Sequence, residues 1–331
     1  MLRNLISPII EGASMDLLVN GPTGLQALRY LRYRHKLKDS NAKPLMLDLQ
    51  PPSQEELSRI SSLIGTLEEP MCLSVGSAKD RRRIDGTRCS VCSRTFPARS
   101  LIELDDRLWI PSPELLFLQM HDHLTQLECL ALGYELCGSY CRRGTDAFEY
   151  NLPAATTPDK LRRFLDRSAR VRHCKRARRT LRFVRANAAS PREAQLAILL
   201  SLPFRYGGYA FSNPVLNRPI NVSSVTGAYW GYDERRTDIS WTGKSIAVEY
   251  DSSEFHASSE KIEKDAKRRT LLQAAGFHVV VVTNDQFKRI SEMDRVERTL
   301  SRLMGCRRRN RNKDYELKKR QLHQALLQLS I

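Results

Sequence analysis

Residues 245–251 read Ser-Ile-Ala-Val-Glu-Tyr-Asp, and this stretch decides the fold of the C-terminal half of the chain. Its apolar residues recur with a period of two, which is typical of a β-strand. The same period puts Glu249 and Asp251 together on one face of the strand, opposite Ile246 and Val248. Two neighbouring carboxylates repel each other unless a cation lies between them. The stretch therefore predicts a strand that carries a cation site.

A second strand is predicted just before it, over Thr237–Trp241. A two-residue turn between the strands places Asp238 opposite Ala247, on the face that carries the other acids. A three-residue turn would move Asp238 to the other face. With the shorter turn, three carboxylates converge on one patch, and hard oxygen ligands on a rigid element are what Mg²⁺ needs when it activates water. We therefore predict a magnesium site formed by Asp238, Glu249 and Asp251.

Ordinary structural explanations exist for each of these acids and for two neighbours. Asp238 and Glu249 are also compatible with a solvent-facing edge hairpin, and Asp251 with the cap of a turn. Glu193 is better explained as the last residue of a helix capping box than as a ligand. His256, taken alone, is more often a packed or surface histidine than a general base.

The elements around the acidic strands follow a defined order. A helix over Ala194–Leu202 precedes irregular or edge-strand material (Gly207–Val222) and the two acidic strands. A basic helix (Ser259–Ala275) and a buried strand (Phe277–Thr283) follow. This α-β-β-β-α-β order is that of the PD-(D/E)XK, or restriction-endonuclease-like, core. We predict an α/β domain of this fold over 190–305, closed by a helix over about Asn284–Met304.

The acidic strand and the following helix resemble the very-short-patch-repair-like domain-of-unknown-function family. Its pattern Glu-x-Asp-Gly-x-x-His, then Asp-x-x-Arg and a Gly-led apolar strand, is matched here by I-A-V-E-Y-D-S-S-E-F-H and D-A-K-R-R-T-L-L-Q-A-A-G-F-H-V-V-V-V-T. The resemblance implies that His256 is an auxiliary acid or base and that Asp265 and Arg268 form a helix pair. It also implies an acidic cluster of Asp238, Glu249 and Asp251.

Three positions depart from the family's pattern. Ser252 replaces the usual Gly, and His256 lies one residue further along. Asp251 stands where many members of the superfamily have Lys. This last difference leaves open which residue activates the attacking water.

The first half is predicted to be a mixed α+β domain over 16–150, after a flexible leader at 1–15. Within it, Trp109–Glu114 is typical of a strand followed by a helix, with Ser112 as N-cap and Pro113 at the first helical position. This motif resembles the partner domain of bacterial abortive-infection-type antitoxin proteins. Cys89 and Cys92 have the spacing of half a zinc knuckle, but reduced structural thiols are favoured.

The formal net charge of +17 is concentrated in two segments. The first, from Lys160 to Arg185, has twelve Lys and Arg residues and one acidic residue, and it lies in a predicted basic helical linker (151–189). The second, from Arg307 to Arg320, has eight Lys and Arg residues and two acidic residues, and it lies in a predicted basic tail helix (306–331). One such run is usually a solvated helix face, but two favour nucleic acid. DNA is the expected partner, and the predicted contacts are Arg176, Arg178, Arg179, Arg268, Arg307, Arg308 and Arg309.

Two functional hypotheses follow. One is a Mg²⁺-dependent endonuclease acting on DNA phosphodiesters, in which Asp238 and Glu249 hold the metal, Asp251 assists and His256 shuttles a proton. The other is a non-catalytic DNA-binding regulator, or antitoxin-like protein, that retains a nuclease-like fold. A weaker alternative assigns the basic segments to RNA. No apolar run is long enough to span a membrane, and no signal-peptide pattern is visible. A cytoplasmic protein without membrane contact is therefore expected. The sequence leaves the oligomeric state open.

Overall fold

The chain divides into two compact units, with the boundary between His123 and Leu124. The computed structural model describes residues 16–65, 70–81, 84–92, 95–144, 147–220, 236–251, 259–306 and 313–329. The boundary lies inside the 16–150 range that the sequence assigned to one domain. In the described part of the chain, no helix has the length and apolar character needed to cross a membrane.

In the described part of the N-terminal unit, a mixed sheet is combined with three helices. Its strands are Leu17–Val19 (β1), Met71–Val75 (β2), Thr87–Val91 (β3), Leu101–Asp105 (β4) and Leu108–Pro111 (β5). Its helices are Gly21–Tyr33 (α1), Gln54–Ile64 (α2) and Pro113–Met120 (α3). The strand order is β3-β2-β1-β5-β4, with β1 parallel to β5 and antiparallel to β2.

Local signals and tertiary pairing both contribute to this unit. Leu115 N donates to Ser112 Oγ at 3.3 Å, and α3 begins at Pro113, as the cap motif predicts. Strand β3 lies in a basic stretch, 79–97, whose residues show no strong strand pattern. β3 has only Cys89 buried and pairs in parallel with β2. Its strand conformation is stabilised by pairing with a neighbour, which a weak local pattern does not reveal.

The C-terminal unit contains eight α-helices, one short 3-10 helix (Phe204–Tyr206) and six strands among its described residues. The helices are Gln126–Leu136 (α4), Pro158–Arg167 (α5), Cys174–Leu181 (α6), Pro191–Ser201 (α7), Ser259–Ala274 (α8), Asn284–Lys288 (α9), Ile290–Leu303 (α10) and Tyr315–Gln328 (α11). The strands are Cys141–Arg143 (β6), Ala147–Glu149 (β7), Val215–Pro219 (β8), Arg236–Ser240 (β9), Ile246–Asp251 (β10) and His278–Thr283 (β11).

Four of these strands form the sheet that carries the acids. Its order is β11-β10-β9-β8; β8, β9 and β10 are antiparallel, and β11 is parallel to β10. A parallel neighbour needs a crossover connection, and α8 lies between β10 and β11 in the chain. The mixed α/β class is confirmed, and the helix, three strands, helix and strand follow one another in the expected order.

The register of β9 and β10 differs from the prediction by two residues. A turn forms at Thr242 and Gly243, with Gly243 at a φ of 73° and Lys244 N donating to Trp241 O at 3.1 Å, but the connection between the strands is longer than the predicted two residues. On the second strand, pairing begins two residues later than predicted, so that Ala247 lies opposite Ser240. This register brings Asp238 beside Glu249 instead of opposite Ala247. Because side chains alternate with a period of two, a two-residue shift leaves Asp238 on the predicted face.

Two expectations for the last third of the chain are corrected. The Val-rich strand β11 was expected to be buried, but it lies at the sheet edge and Val282 is its one buried residue. The helix expected over Asn284–Met304 is broken at Arg289, whose extended backbone separates α9 from α10.

Helix α11 is an integral part of the C-terminal unit. Its buried residues include Leu322, His323 and Leu326. Lys319, also buried, donates from Nζ to Asp294 at 2.8 Å. The described part of the predicted basic tail therefore contributes to the core as well as to the surface.

Candidate active site

Asp238 and Glu249 lie side by side on one face of the sheet. They are buried, with 8% and 5% of their surface exposed. Asp238 N donates to Glu249 Oε1 at 3.1 Å, and Tyr250 N donates to Asp238 Oδ2 at 2.8 Å. Each carboxylate thus accepts a main-chain N–H from the neighbouring strand. These bonds hold both acids on rigid elements in a defined orientation.

The cation between the two carboxylates is Arg268 from helix α8. Its Nη2 donates to Asp238 Oδ1 at 2.6 Å and also to Glu249 Oε2. All four carboxylate oxygens are therefore hydrogen-bonded within the protein. One positive charge faces two negative ones, so this trio retains a negative charge when both acids are ionised. The sequence interpretation assigned Arg268 to a helix pair and to nucleic acid, whereas its side chain contacts the acids.

Asp251 is held separately from this pair. Arg269 Nη2 donates to Asp251 Oδ2 at 2.5 Å, and the Asp251 side chain is 20% exposed. Tyr250, between the two acids in sequence, turns to the other face and donates from its hydroxyl to Asn284 Oδ1 at 3.0 Å. The structure thus arranges the three predicted acids as a bridged pair and a third carboxylate with its own arginine.

Glu193 is a further acid that the sequence interpretation did not place in the site. Its Oε2 accepts hydrogen bonds from Ala189 N at 2.9 Å and Asn217 Nδ2 at 2.8 Å. Burial, and then the negative charge of Asp238, raise the pKa of Glu193 to about 7. Part of the capping interpretation holds, since Glu193 N donates to Ser190 Oγ at 3.1 Å. The carboxylate itself, however, caps Ala189 and lies within electrostatic reach of Asp238.

The raised pKa predicts that Glu193→Gln stabilises the protein near pH 8 but not near pH 5. The folded-state pKa of about 7 exceeds the ordinary value of 4.5, so the folded protein retains a proton that the unfolded chain releases. Stability is therefore lost as the pH rises from about 4.5 to 7, and glutamine avoids this loss. Urea unfolding in EDTA across this range measures the effect.

The matched control for this experiment is Glu128→Gln, which alters the capping-box glutamate of α4 in the same unit. It should show no gain that grows with pH. A Glu193→Gln effect of equal size near pH 5 and near pH 8 would contradict the assigned cause.

The remaining residues that the sequence predicted for the site either are basic residues of α6 or lie outside the described residues. Arg178 pairs with Asp166 at 3.1 Å, and Arg176 donates to the main-chain oxygen of Leu124 at 3.1 Å. Arg179 is exposed. Outside the described residues lie His256, Arg307, Arg308, Arg309 and the side chain of Asp265.

The acid pair meets the donor requirement of Mg²⁺, which is commonly held by one or two carboxylates together with water and phosphate oxygens. A positive group already lies between Asp238 and Glu249, which shows that this position favours a cation. Within the described ranges, no group of three or more His, Cys, Asp or Glu side chains is arranged to hold a metal ion. Comparisons with protein-family models, curated proteins and solved structures find no match for this chain.

Proposed function

We propose that the C-terminal unit is a restriction-endonuclease-like domain that binds DNA and hydrolyses its phosphodiester bonds with Mg²⁺. The observation that supports this most directly is the buried pair of Asp238 and Glu249 on adjacent strands. Burying two carboxylates together is unfavourable, and such clusters are concentrated at functional sites. The element order α7-β8-β9-β10-α8-β11 agrees with the order expected of this fold and so supports the proposal.

In this proposal, Asp238 Oδ1 and Glu249 Oε2, the two oxygens in contact with Arg268, would hold the ion. When bound, Mg²⁺ supplies an activated water and stabilises charge on the phosphate. The main-chain N–H groups of Asp238 and Tyr250 orient the carboxylates. Glu193, with a pKa of about 7, accepts or releases a proton beside Asp238 near neutral pH.

A second function is favoured by Arg268. Its guanidinium already bridges Asp238 and Glu249, so the pair is stabilised without a metal ion. An acid pair neutralised by the protein's own arginine suits a domain that contacts DNA without hydrolysing it. The alternative proposal is therefore a non-catalytic DNA-binding regulator, of which an antitoxin-like protein is one form.

Cleavage of supercoiled plasmid separates the two proposals. The nuclease is expected to produce nicked and linear DNA with Mg²⁺ or Mn²⁺ and to be inactive in EDTA. Asp238→Asn serves as the matched inactive control, since it preserves the side-chain shape and removes one charge. A protein that retards the plasmid in a gel but leaves it supercoiled under all three conditions would support the regulator.

A further inference from the structure

Helices α5 and α6 form a hairpin with an apolar inner side and a basic outer side. Buried residues on the inner side are Leu161, Phe164, Leu165, Cys174, Ala177 and Leu181. Between Pro158 and Arg182 there are eleven Lys and Arg against two acids. Since the inner side is apolar, this charge is displayed at the surface of the hairpin.

Several of these cations are already engaged within the protein. Arg162 pairs with Asp159 at 2.6 Å, and Arg178 pairs with Asp166 at 3.1 Å. Arg176 donates to a main-chain oxygen. These side chains stabilise the hairpin and its contact with the preceding segment, so they are less available for a partner.

Six of the remaining cations form two stripes, one on each helix. The α5 stripe is Lys160, Arg163 and Arg167; the α6 stripe is Lys175, Arg179 and Arg182. Their spacings, i, i+3, i+7 and i, i+4, i+7, put each set on one side of its helix. All six side chains are exposed and have no ion-pair or hydrogen-bond partner among the described residues. Six exposed cations without internal partners give the hairpin a positively charged surface, which attracts polyanions.

The composition of the hairpin favours duplex over single-stranded nucleic acid. Single-strand binding uses exposed aromatic rings as stacking platforms. From Pro158 to Arg182 the one Phe, Tyr or Trp is Phe164, which is buried. Helix α5 is about 15 Å long, and duplex DNA carries about nine phosphates over that length. We propose that the two stripes bind the phosphate backbone of double-stranded DNA without reading its sequence.

The hairpin is tied to the segment that carries Glu193. Asn217 Nδ2 donates both to Asn187 O, at 2.7 Å, and to Glu193 Oε2, at 2.8 Å. Arg185 Nη2 donates to Asn213 Oδ1 at 2.8 Å. These hydrogen bonds connect the segment that follows α6 to strand β8 and to the loop before it. This DNA-binding interface, formed by the two stripes, extends the proposed function. Its assignment to DNA rests on that proposed function.

The test measures how DNA affinity depends on salt for the wild-type protein and three triple variants. One replaces the α5 stripe with glutamine, one the α6 stripe, and the control replaces Arg295, Arg298 and Arg302 of α10, which have a similar helical spacing. Fluorescence anisotropy with a short DNA duplex in EDTA, at about 50 to 300 mM salt, gives the slope of log K against log salt. Each stripe variant should lower the magnitude of the slope by about 2.7, and the control should not change it.

The outcomes also distinguish this interface from hydrolysis. If plasmid is never cleaved but both stripe variants lower the slope, the interface stands and the proposed hydrolysis fails. If cleavage occurs and both stripe variants bind as the wild type does, the interface is overturned and hydrolysis stands. An equal change of slope in the α10 control would also overturn the interface. So would stripe-dependent binding to single-stranded DNA, duplex RNA or anionic vesicles, if duplex DNA is not bound in this way. Circular dichroism should show native helix content in each variant.

Discussion

Glu249→Gln is expected to abolish DNA cleavage while leaving DNA affinity unchanged or slightly higher. The amide keeps the shape of the side chain but removes the charge at Oε2, which the nuclease proposal assigns to the ion. Loss of an outer partner of a metal ligand costs about 10- to 100-fold in activity, so loss of a ligand charge should cost more. Binding should not weaken, because a negative charge that repels phosphate has been removed. Single-turnover cleavage and anisotropy of the same preparation measure both effects.

The control for this substitution is Glu292→Gln on α10, whose carboxylate pairs with the exposed Arg295. It should cleave as the wild type does. Full activity of Glu249→Gln would rule out its assigned role.

The structure also changes the expected stability of Glu249→Gln in metal-free buffer. Simple repulsion between acids predicts a gain, because one repelling carboxylate has gone. With Arg268 bridging the pair, the substitution instead removes half of a buried ion-pair arrangement, and a loss of about 1–3 kcal/mol is expected.

Arg268→Met is expected to lower the free energy of unfolding by about 3–5 kcal/mol in EDTA. Methionine keeps part of the apolar stem, but Asp238 and Glu249 then remain buried and adjacent without a cation. Breaking a buried ion pair by removing one partner costs more than the pair contributes, because the remaining charge is left in a medium of low polarity. Urea unfolding near neutral pH measures the loss.

Two comparisons make this prediction specific. Arg295→Met removes the cation of an exposed pair, and its effect should stay below about 1 kcal/mol. Adding Asp238→Asn and Glu249→Gln to Arg268→Met should recover much of the lost stability, since the repelling charges are gone. Arg268→Met with wild-type stability would show that the acids do not depend on the arginine.

Magnesium separates the two proposed functions in the same variant. If the site holds Mg²⁺, the ion should raise the Tm of Arg268→Met more than that of the wild type, because the ion neutralises the two buried carboxylates that have lost their arginine. If the domain is a regulator without a metal site, millimolar Mg²⁺ should shift the two proteins equally.

The sequence alone determined the features that depend on short-range chemistry. The period of two over Ser245–Asp251 predicted strand β10 and the shared face of Glu249 and Asp251. The Ser-Pro motif beginning at Ser112 predicted the start of α3. Each signal lies within a few residues of the feature it specifies, so no knowledge of distant contacts is needed.

Only the tertiary structure decided which groups meet. Arg268 on α8 donates a hydrogen bond to Asp238, 30 positions away in sequence. The negative charge of Asp238 contributes to the raised pKa of Glu193, which lies on α7. The engaged and available cations of α5 and α6 look alike in sequence, because each is an Arg or Lys in one basic run. Packing between elements sets these pairings, and periodicity within one element carries no information about them. The sequence could therefore indicate that a cation must lie between the acids, but the fold determined that it is Arg268.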